Sequence, residues 1–146
     1  MTAAQRTVGP EQNLLFLCSM ARMRSPTAAK VFACVPGLQT RFGGLDWGAE
    51  REATKDDIAW ADEIFCMEQV HKRWLGQKFG PLLRGRKPIV LGIPDRFDPM
   101  DRELVDILLQ KVPAFLKVPV DAQAVRACLK ANGWDDSEKP PAPYCW

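Results

Sequence analysis

The apolar and polar residues of this chain form short blocks that predict strands and helices in alternation. Three continuous apolar runs and one alternating segment are typical of buried strands, and they cover residues 14–17, 38–42, 63–67 and 88–93. Apolar residues at helical spacing predict helices over residues 26–35, 54–60, 68–78, 104–115 and 122–131. We therefore expect an α/β fold in which a four-stranded parallel sheet carries helices on both faces.

Length, composition and charge narrow the class of protein. The chain has 146 residues, of which 47% are hydrophobic and 26% charged, as expected for a single globular domain. Lys and Arg outnumber Asp and Glu by 20 to 18, and a net charge of +2 is too small to indicate a nucleic-acid partner. The first 12 residues lack the apolar core of a signal peptide, and no apolar run is long enough to span a membrane. We therefore expect a cytoplasmic protein that binds neither nucleic acid nor a membrane.

The cysteines give no sign of a metal site. Five of them stand at positions 18, 34, 66, 128 and 145 without a Cys-x-x-Cys pair, and the chain has a single histidine. Because zinc sites usually contain such closely spaced ligand pairs, we see no plausible set of four ligands here and expect neither a metal nor another cofactor. In a cytoplasmic protein we expect these thiols to be reduced.

The most informative stretch is the loop after the first predicted strand. Cys18 ends the apolar run, and Arg24 follows after five intervening residues, directly before Ser25 and Pro26. Ser25 can cap the next helix, and Pro26 suits its first position because proline lacks the N–H that would be unpaired there. A thiol and a guanidinium therefore lie at a helix N-terminus, where the N–H groups and the dipole favour an anion. The same field favours the thiolate, which predicts Cys18 as a nucleophile and Arg24 as a clamp for phosphoryl oxygens.

This stretch, from Cys18 to Pro26 after an apolar strand, resembles the phosphate loop of the low-molecular-weight protein tyrosine phosphatases. The resemblance implies one phosphatase-like domain over residues 13–117, with its phosphate loop after the first strand. Residues 118–146 are then a C-terminal extension made of a short helix and an irregular tail. In the family, the serine after the arginine helps the thiolate depart, a role that the resemblance assigns to Ser25. The loop residues expected to bind phosphate are Ser19, Met20, Ala21, Arg22 and Met23.

A general acid is expected in the loop after the fourth predicted strand. The carboxyl ends of parallel strands meet at one edge of the sheet, so this loop and Cys18 can face the same crevice. Asp98 precedes Pro99 and has a structural explanation as the cap of the next helix. Asp95 has no such explanation, and the family's catalytic aspartate follows a similar step from strand to proline. We therefore prefer Asp95 as the acid and keep Asp98 as the alternative.

Three further residues could belong to the site or to the scaffold. Trp47, in the loop after the second strand, forms either an aromatic wall of the pocket, as the resemblance implies, or a half-buried loop tryptophan. Cys66 ends the third strand without a following arginine or capped helix, so we expect it to pack in the core. His71 has Lys72 and Arg73 as neighbours, and we expect it on a solvated helix face.

The chain departs from the family's pattern in its loops. Met20 and Ala21 replace the usual Gly and Asn, and Asn commonly serves where the backbone is left-handed, a conformation that Ala21 adopts only at a cost. Met23 replaces a second cysteine that could protect the nucleophile. The tyrosines expected after the acid are absent, and Arg22 and Arg96 add positive charge. These two arginines favour a more acidic phosphorylated group.

The predicted function is the hydrolysis of phosphomonoesters, with protein phosphotyrosine as the substrate class, through a cysteinyl-phosphate intermediate. The partners would be a phosphorylated protein or a small phosphomonoester, with inorganic phosphate as the product. Two alternatives stay open. The first is an arsenate reductase that uses an external thiol, since arsenate mimics phosphate. The second is a non-catalytic phosphate-binding module that has lost turnover through Ala21.

Overall fold

The computed structural model describes residues 11–135, which contain a four-stranded sheet with all strands parallel, in the order β2-β1-β3-β4. The strands are β1 (Gln12–Cys18), β2 (Leu38–Gly44), β3 (Glu63–Cys66) and β4 (Ile89–Val90). The α-helices of this part of the chain are α1 (Arg24–Ala33), α2 (Lys55–Trp60), α3 (Gln69–Phe79), α4 (Arg102–Lys111) and α5 (Ala122–Ala131). Short 3₁₀ helices follow α3 and α4 at Gly80–Leu83 and Pro113–Phe115. The predicted α/β fold with a four-stranded parallel sheet is confirmed.

Strand β1 is the centre of the sheet and is buried on both faces. It pairs with β2 on one side and β3 on the other. On one face, Phe16 stacks on Phe32 of α1 and on Phe65 of β3, and this core also contains residues of α4 and α5. On the other face, Leu15 and Leu17 pack with residues of α2 and α3. Because helices cover both faces, β1 reads as a continuous apolar run, as the sequence predicted.

The order of the strands determines where a ligand can bind. From β1 the chain runs to β2 on one side of the sheet and then to β3 on the other, so the direction of winding reverses at β1. In open parallel sheets, the crevice at the carboxyl ends of the strands beside such a reversal is the usual ligand site. The last residue of β1 is Cys18.

Strand β4 is shorter than the predicted run of residues 88–93. Only Ile89–Val90 are assigned to the strand, although the N–H groups of Leu91 and Ile93 still donate to the carbonyls of Cys66 and Met67. Gly92 lies between them with a φ of +70°, which interrupts regular strand geometry. The chain nevertheless continues along the sheet as far as Ile93.

The start and end of α4 differ from the prediction. Its N-cap is Asp101, whose carboxylate accepts a hydrogen bond from the N–H of Glu103 at 2.9 Å, so the expectation that Asp98 caps this helix is wrong. Met100 has a φ of +60°, which prevents the helix from starting earlier. At the other end, Pro113 lacks an N–H and begins a 3₁₀ turn, so the helix stops at Lys111.

Helices α2 and α5 both begin with side-chain caps, as their sequences predict. Thr54 and Asp57 form the capping box of α2, with the side chain of each accepting a hydrogen bond from the backbone N–H of the other. Asp121 accepts hydrogen bonds from the N–H groups of Gln123 and Ala124 at the start of α5. Within the described part of the chain, no helix combines the length and the apolar character that crossing a membrane requires.

Helix α5, which we assigned to a C-terminal extension, contributes to the main core. Val125 and Leu129 are buried in the cluster that contains Phe16 and Phe32. Just beyond α5, the indole N–H of Trp134 donates to the carbonyl of Met100 at 2.8 Å. Most of the predicted irregular tail lies outside the described residues.

The expectation of reduced thiols is wrong for one pair, because Cys34 and Cys128 form a disulfide. Cys34 follows α1 directly and Cys128 lies in α5, and the packing of these helices brings the two Cα atoms to 6.0 Å. The two cysteines are 94 positions apart, so their spacing could not reveal the pair. Cys18 and Cys66 are free and buried, and Cys145 lies outside the described residues. Since disulfides persist in oxidising compartments, the cytoplasmic location stays a prediction.

Reduction of the disulfide is expected to lower the free energy of unfolding by about 3–4 kcal/mol, because the bond restricts a long segment of the unfolded chain. Urea unfolding with and without reductant measures the difference. The variant Cys34→Ser/Cys128→Ser should match the reduced protein and should not respond to the reductant. Equal urea midpoints for the oxidised and reduced protein would contradict the expectation.

Candidate active site

The loop at residues 18–24 joins β1 to α1, and its backbone is held by the loop after β2. The carbonyl groups of Cys18, Ser19 and Met20 each accept a hydrogen bond, at 3.0 Å, from an N–H group within residues 45–50. A trans peptide points its N–H away from its C=O, so the N–H groups of Ser19 and Met20 point away from the 45–50 segment, and both residues line a cavity. The 18–24 loop therefore presents hydrogen-bond donors at a helix N-terminus, an arrangement that suits an anion.

Two residues allow the loop to follow this path. Ala21 has a φ of +60°, the left-handed conformation that the resemblance implied, and an alanine holds it at a cost of about 1 kcal/mol. Gly44, at the end of β2, lies so close to the loop that a Cβ there would be 2.5 Å from the carbonyl oxygen of Ser19. A side chain at position 44 would therefore displace the loop.

The loop encloses one end of a cavity of about 110 Å³. The residues that line it are Cys18, Ser19, Met20, Arg22, Met23, Arg24 and Asp95. Pockets for drug-sized ligands have roughly 300–1,000 Å³, so this cavity suits a small anion or one end of a larger molecule. All seven residues were site candidates in the sequence, and the fold brings them together. Of the other candidates, Ser25 lies behind the thiol, Ala21 shapes the backbone, and Trp47 does not line the cavity.

The thiol of Cys18 lies at the closed end of the site. It is only 3% exposed, and its Sγ lies 3.0 Å from the Oγ of Ser25, which is fully buried. The expectation that Ser25 caps the helix is wrong, because α1 begins at Arg24 after Met23, which makes no side-chain cap. The Ser25 hydroxyl contacts the sulfur instead. It can donate a hydrogen bond to a thiolate there.

Arg24 is a buried cation whose position is set by contacts with three residues from two other segments. It is 2% exposed, and its Nη1 donates to the carbonyl of Ile93 at 2.8 Å. The same nitrogen lies 3.2 Å from a carboxylate oxygen of Glu68, and Nε lies 3.8 Å from Asp95. A buried charge needs such partners, and Glu68 supplies the compensating charge. The guanidinium is therefore held rigidly in the cavity wall.

The two candidate acids lie in different surroundings. The side chain of Asp95 is 67% exposed, lines the cavity and lies near Arg24. Asp98 is half-buried, does not line the cavity, and does not cap α4. Asp98 therefore lacks the capping role expected of it, and of the two aspartates only Asp95 lines the cavity.

The structure overturns the expectation for His71, which is 0% exposed instead of solvated. Its Nδ1 accepts a hydrogen bond from the N–H of Glu68, and its Nε2 lies 2.9 Å from the Oγ of Ser19. The flanking Lys72 and Arg73 are exposed, and they suggested a polar face that His71 does not share. A signal was present, because His71 is the third residue after Glu68, where a side chain can bond back to the start of a helix.

His71 is a neutral imidazole at ordinary pH. Burial, together with the positive charge of Arg24, lowers the pKa of His71 to about 4, although the charges of Glu68 and Asp95 act in the opposite direction. The ring also meets Trp74 edge to face, at 5.8 Å between centroids. An uncharged histidine is therefore built into the wall behind Ser19.

Cys66 and Trp47 lie outside the cavity. Cys66 is fully buried in the core beneath α2 and α3, and burial raises the pKa of its thiol to about 12, so the packing role is confirmed. Trp47 is 86% exposed, so the half-buried alternative is wrong, and a role as the wall for a larger substrate stays a prediction. In residues 11–135 no three His, Cys, Asp or Glu side chains are grouped so that they could hold a metal ion.

Comparisons with known proteins bear on the fold. No protein-family model and no curated protein matches the sequence. Among solved structures, the YwlE arginine phosphatase from Geobacillus stearothermophilus is 18% identical with a TM-score of 0.55, and the match covers 88% of this chain and all of that one. Vibrio vulnificus Wzb in complex with benzylphosphonate is 20% identical with a TM-score of 0.54, over 83% of this chain and 99% of the other.

A third similar structure is the low molecular weight protein tyrosine phosphatase from T. tengcongensis, which is 13% identical with a TM-score of 0.50. That match covers 83% of this chain and 99% of the other. At such identities the similarity concerns the fold alone. It confirms the likeness between this fold and that of the low-molecular-weight protein tyrosine phosphatases.

The left-handed conformation of Ala21 predicts an unusual response to glycine. Ala21→Gly loses a buried methyl group but relieves the backbone, so the free energy of unfolding should change by less than about 0.5 kcal/mol. Ala28→Gly is the matched control, because Ala28 is equally buried but helical, and it should cost about 1.5–2 kcal/mol. Urea unfolding compares them. Equal losses in the two variants would mean that Ala21 is not strained.

Proposed function

We propose that this chain is a cysteine-dependent phosphatase that hydrolyses phosphomonoesters through a cysteinyl-phosphate intermediate. The observation that carries the proposal is the convergence of three groups on one small cavity: a buried thiol, a buried guanidinium and an exposed carboxyl group. These are Cys18, Arg24 and Asp95, all of which line the 110 Å³ space. The serine hydroxyl behind the thiol completes the set of groups that the chemistry needs.

In the first displacement, the Cys18 thiolate attacks phosphorus in line with the leaving oxygen. A sulfur–phosphorus bond forms as the bond from phosphorus to the ester oxygen breaks. Asp95, in its protonated form, gives its proton to that oxygen, so the product leaves as an alcohol or phenol. The exposed position of Asp95 at the cavity suits this role, because the leaving group must point towards solvent.

In the second displacement, water attacks the cysteinyl-phosphate. The Asp95 carboxylate takes a proton from the water, an oxygen–phosphorus bond forms, and the sulfur–phosphorus bond breaks. The sulfur departs as a thiolate, to which the Ser25 hydroxyl at 3.0 Å can donate a hydrogen bond. The sum of the two steps is phosphomonoester plus water giving alcohol plus inorganic phosphate.

The rest of the site contributes position and charge stabilisation. The N–H groups of the 18–24 loop and the Arg24 guanidinium can hold the equatorial oxygens of the phosphoryl group while charge moves between the apical atoms. Arg24 is already fixed by Glu68 and the carbonyl of Ile93, so little reorganisation is needed when the substrate binds. No step of this scheme requires a metal ion.

For the substrate class we propose phosphotyrosine on a protein. The small cavity accepts a phosphoryl group, and one of the similar proteins binds benzylphosphonate, a phosphonate attached to an aromatic ring. The sequence suggested that Arg22 and Arg96 favour an acidic substrate. Each of them lies near a carboxylate, Arg22 at 3.6 Å from Glu50 and Arg96 at 3.2 Å from Glu103, and this weakens that preference.

Arsenate reduction is the alternative chemistry for the same cavity. A relay between cysteines of the chain would need a second accessible thiol, but Cys66 is fully buried and Cys34 is bonded to Cys128. Among the described residues, an arsenate reductase would therefore have only Cys18 and would depend on an external thiol. Arsenate consumption that requires glutathione, without hydrolysis of aryl phosphates, would favour this alternative.

Replacing the nucleophile tests the central proposal. Cys18→Ser is expected to reduce turnover of an aryl phosphate by more than about a thousandfold, because a serine hydroxyl is not ionised at neutral pH. Binding of inorganic phosphate should remain, since the 18–24 loop and Arg24 are unchanged. Cys66→Ala is the control and should keep its turnover. Turnover by Cys18→Ser at the original rate would remove the proposal.

The choice of acid can be tested with two leaving groups. Asp95→Asn should slow hydrolysis of phenyl phosphate more than that of nitrophenyl phosphate, because nitrophenol leaves without a proton. We expect a loss of about 100-fold or more for the poorer leaving group. Asp98→Asn is the matched variant and should treat the two substrates alike. The reverse pattern would make Asp98 the acid.

A further inference from the structure

We propose that His71 is a positioning residue that holds the Ser19 hydroxyl as a hydrogen-bond donor directed at the phosphoryl group in the cavity. This inference rests on the proposed function and extends it to a histidine that is remote from Cys18 in the sequence. It concerns how the site is organised before substrate binds. His71 itself does not line the cavity.

The hydrogen bond between Glu68 and His71 determines which ring nitrogen of His71 carries the proton. A backbone N–H can only donate, and that of Glu68 points at Nδ1 of His71 from 2.9 Å. Nδ1 must therefore be the acceptor, and in a neutral imidazole the proton is then on Nε2. Nε2 lies 2.9 Å from the Oγ of Ser19, so His71 is the donor in that second bond.

The direction of the second bond determines what Ser19 can do. A hydroxyl group has one proton and two lone pairs, and His71 occupies one lone pair. The proton of Ser19 cannot point at His71, and it is left to donate elsewhere. Ser19 lines the cavity beside Cys18 and Arg24, where the expected occupant is an anion that only accepts hydrogen bonds. Preorganised donors of this kind stabilise a phosphoryl group during transfer.

The first turn of α3 holds both ends of the 18–24 loop. The backbone of Glu68 orients His71 and, through it, Ser19 at the start of the loop. The carboxylate of Glu68 lies 3.2 Å from Arg24 at the end of the loop. One residue therefore fixes two groups of the cavity wall through different atoms.

The surroundings of His71 favour the neutral imidazole. The charged groups that face it are Arg24 on α1, Glu68 at the start of α3 and Asp95 in the loop after β4. Burial and Arg24 lower the pKa of His71 to about 4, against the opposing effects of the two carboxylates. At neutral pH the ring is therefore uncharged, so Nδ1 remains an acceptor.

A double-mutant cycle on phosphate affinity tests the coupling. Isothermal titration with inorganic phosphate at one pH would compare the unmodified protein with Ser19→Ala, His71→Leu and the double variant. Each single change is expected to weaken binding about tenfold, and the double variant should bind no more weakly than Ser19→Ala, because His71 acts through Ser19. Losses that multiply, or a His71→Leu variant that binds as tightly as the unmodified protein, would overturn the proposal.

A conservative variant separates positioning from packing. His71→Gln keeps an amide that can donate to Ser19, so it should recover affinity to within about threefold of the unmodified protein. If His71→Gln binds phosphate as weakly as His71→Leu while both remain folded, the hydrogen bond is not the cause of the loss, and the proposal fails.

A spectroscopic test needs no substitution. His71 is the only histidine of the chain, so a long-range proton–nitrogen spectrum reports it without ambiguity. We expect the tautomer with the proton on Nε2 and a titration midpoint near 4. A neutral ring with its proton on Nδ1 would overturn the proposal whatever the variants show.

These outcomes distinguish the positioning role from the proposed function. The titrations require phosphate binding but no turnover, so a protein that binds phosphate without hydrolysing it would still test His71. Absence of phosphate binding by the unmodified protein would overturn the proposed function and this inference with it. Losses that multiply across the cycle would overturn the inference alone.

Discussion

The burial of Arg24 is the interaction on which the rest of the site depends. A guanidinium that is only 2% exposed must be compensated, and it is held by a carboxylate at the start of α3 and a carbonyl just beyond β4. These contacts tie the start of α1 to the two neighbouring parts of the sheet. These contacts do not remove Arg24 from the cavity, which it still lines and where it can bind a second anion.

The shape of the 18–24 loop comes from strain and close packing. Ala21 accepts a left-handed backbone at some cost, and Gly44 lets the loop after β2 approach without a side chain between them. Three hydrogen bonds from residues 45–50 then hold the carbonyls of the loop away from the cavity. The strain is therefore offset by the same contacts that turn the N–H groups away from residues 45–50, and the family's usual asparagine is not required for this backbone.

Much of the fold and of the cavity could be predicted from local patterns. The apolar run of β1, the capping box at Thr54 and the cap at Asp121 depend on residues within a few positions of each other, and all three agree with the structure. The seven residues that line the cavity were candidates as well, since six of them lie in one loop and its ends. Their catalytic roles stay proposals.

The predictions that were wrong concern residues whose neighbours are determined by the tertiary structure. Ser25 and Asp98 are residue types that often cap helices. Ser25 contacts Cys18 instead, and no side chain caps α1. The turn at Met100 separates Asp98 from α4, which is capped by Asp101. The disulfide joins two cysteines that are 94 positions apart, and the hydrogen bond of the buried His71 joins it to Ser19, 52 positions away. The sequence alone determined the periodicity, the buried central strand and the spacing of thiol and guanidinium, because these follow from short-range geometry. The tertiary structure alone decided which distant polar groups lie beside the thiol and the guanidinium, because these contacts form only when the helices pack on the sheet.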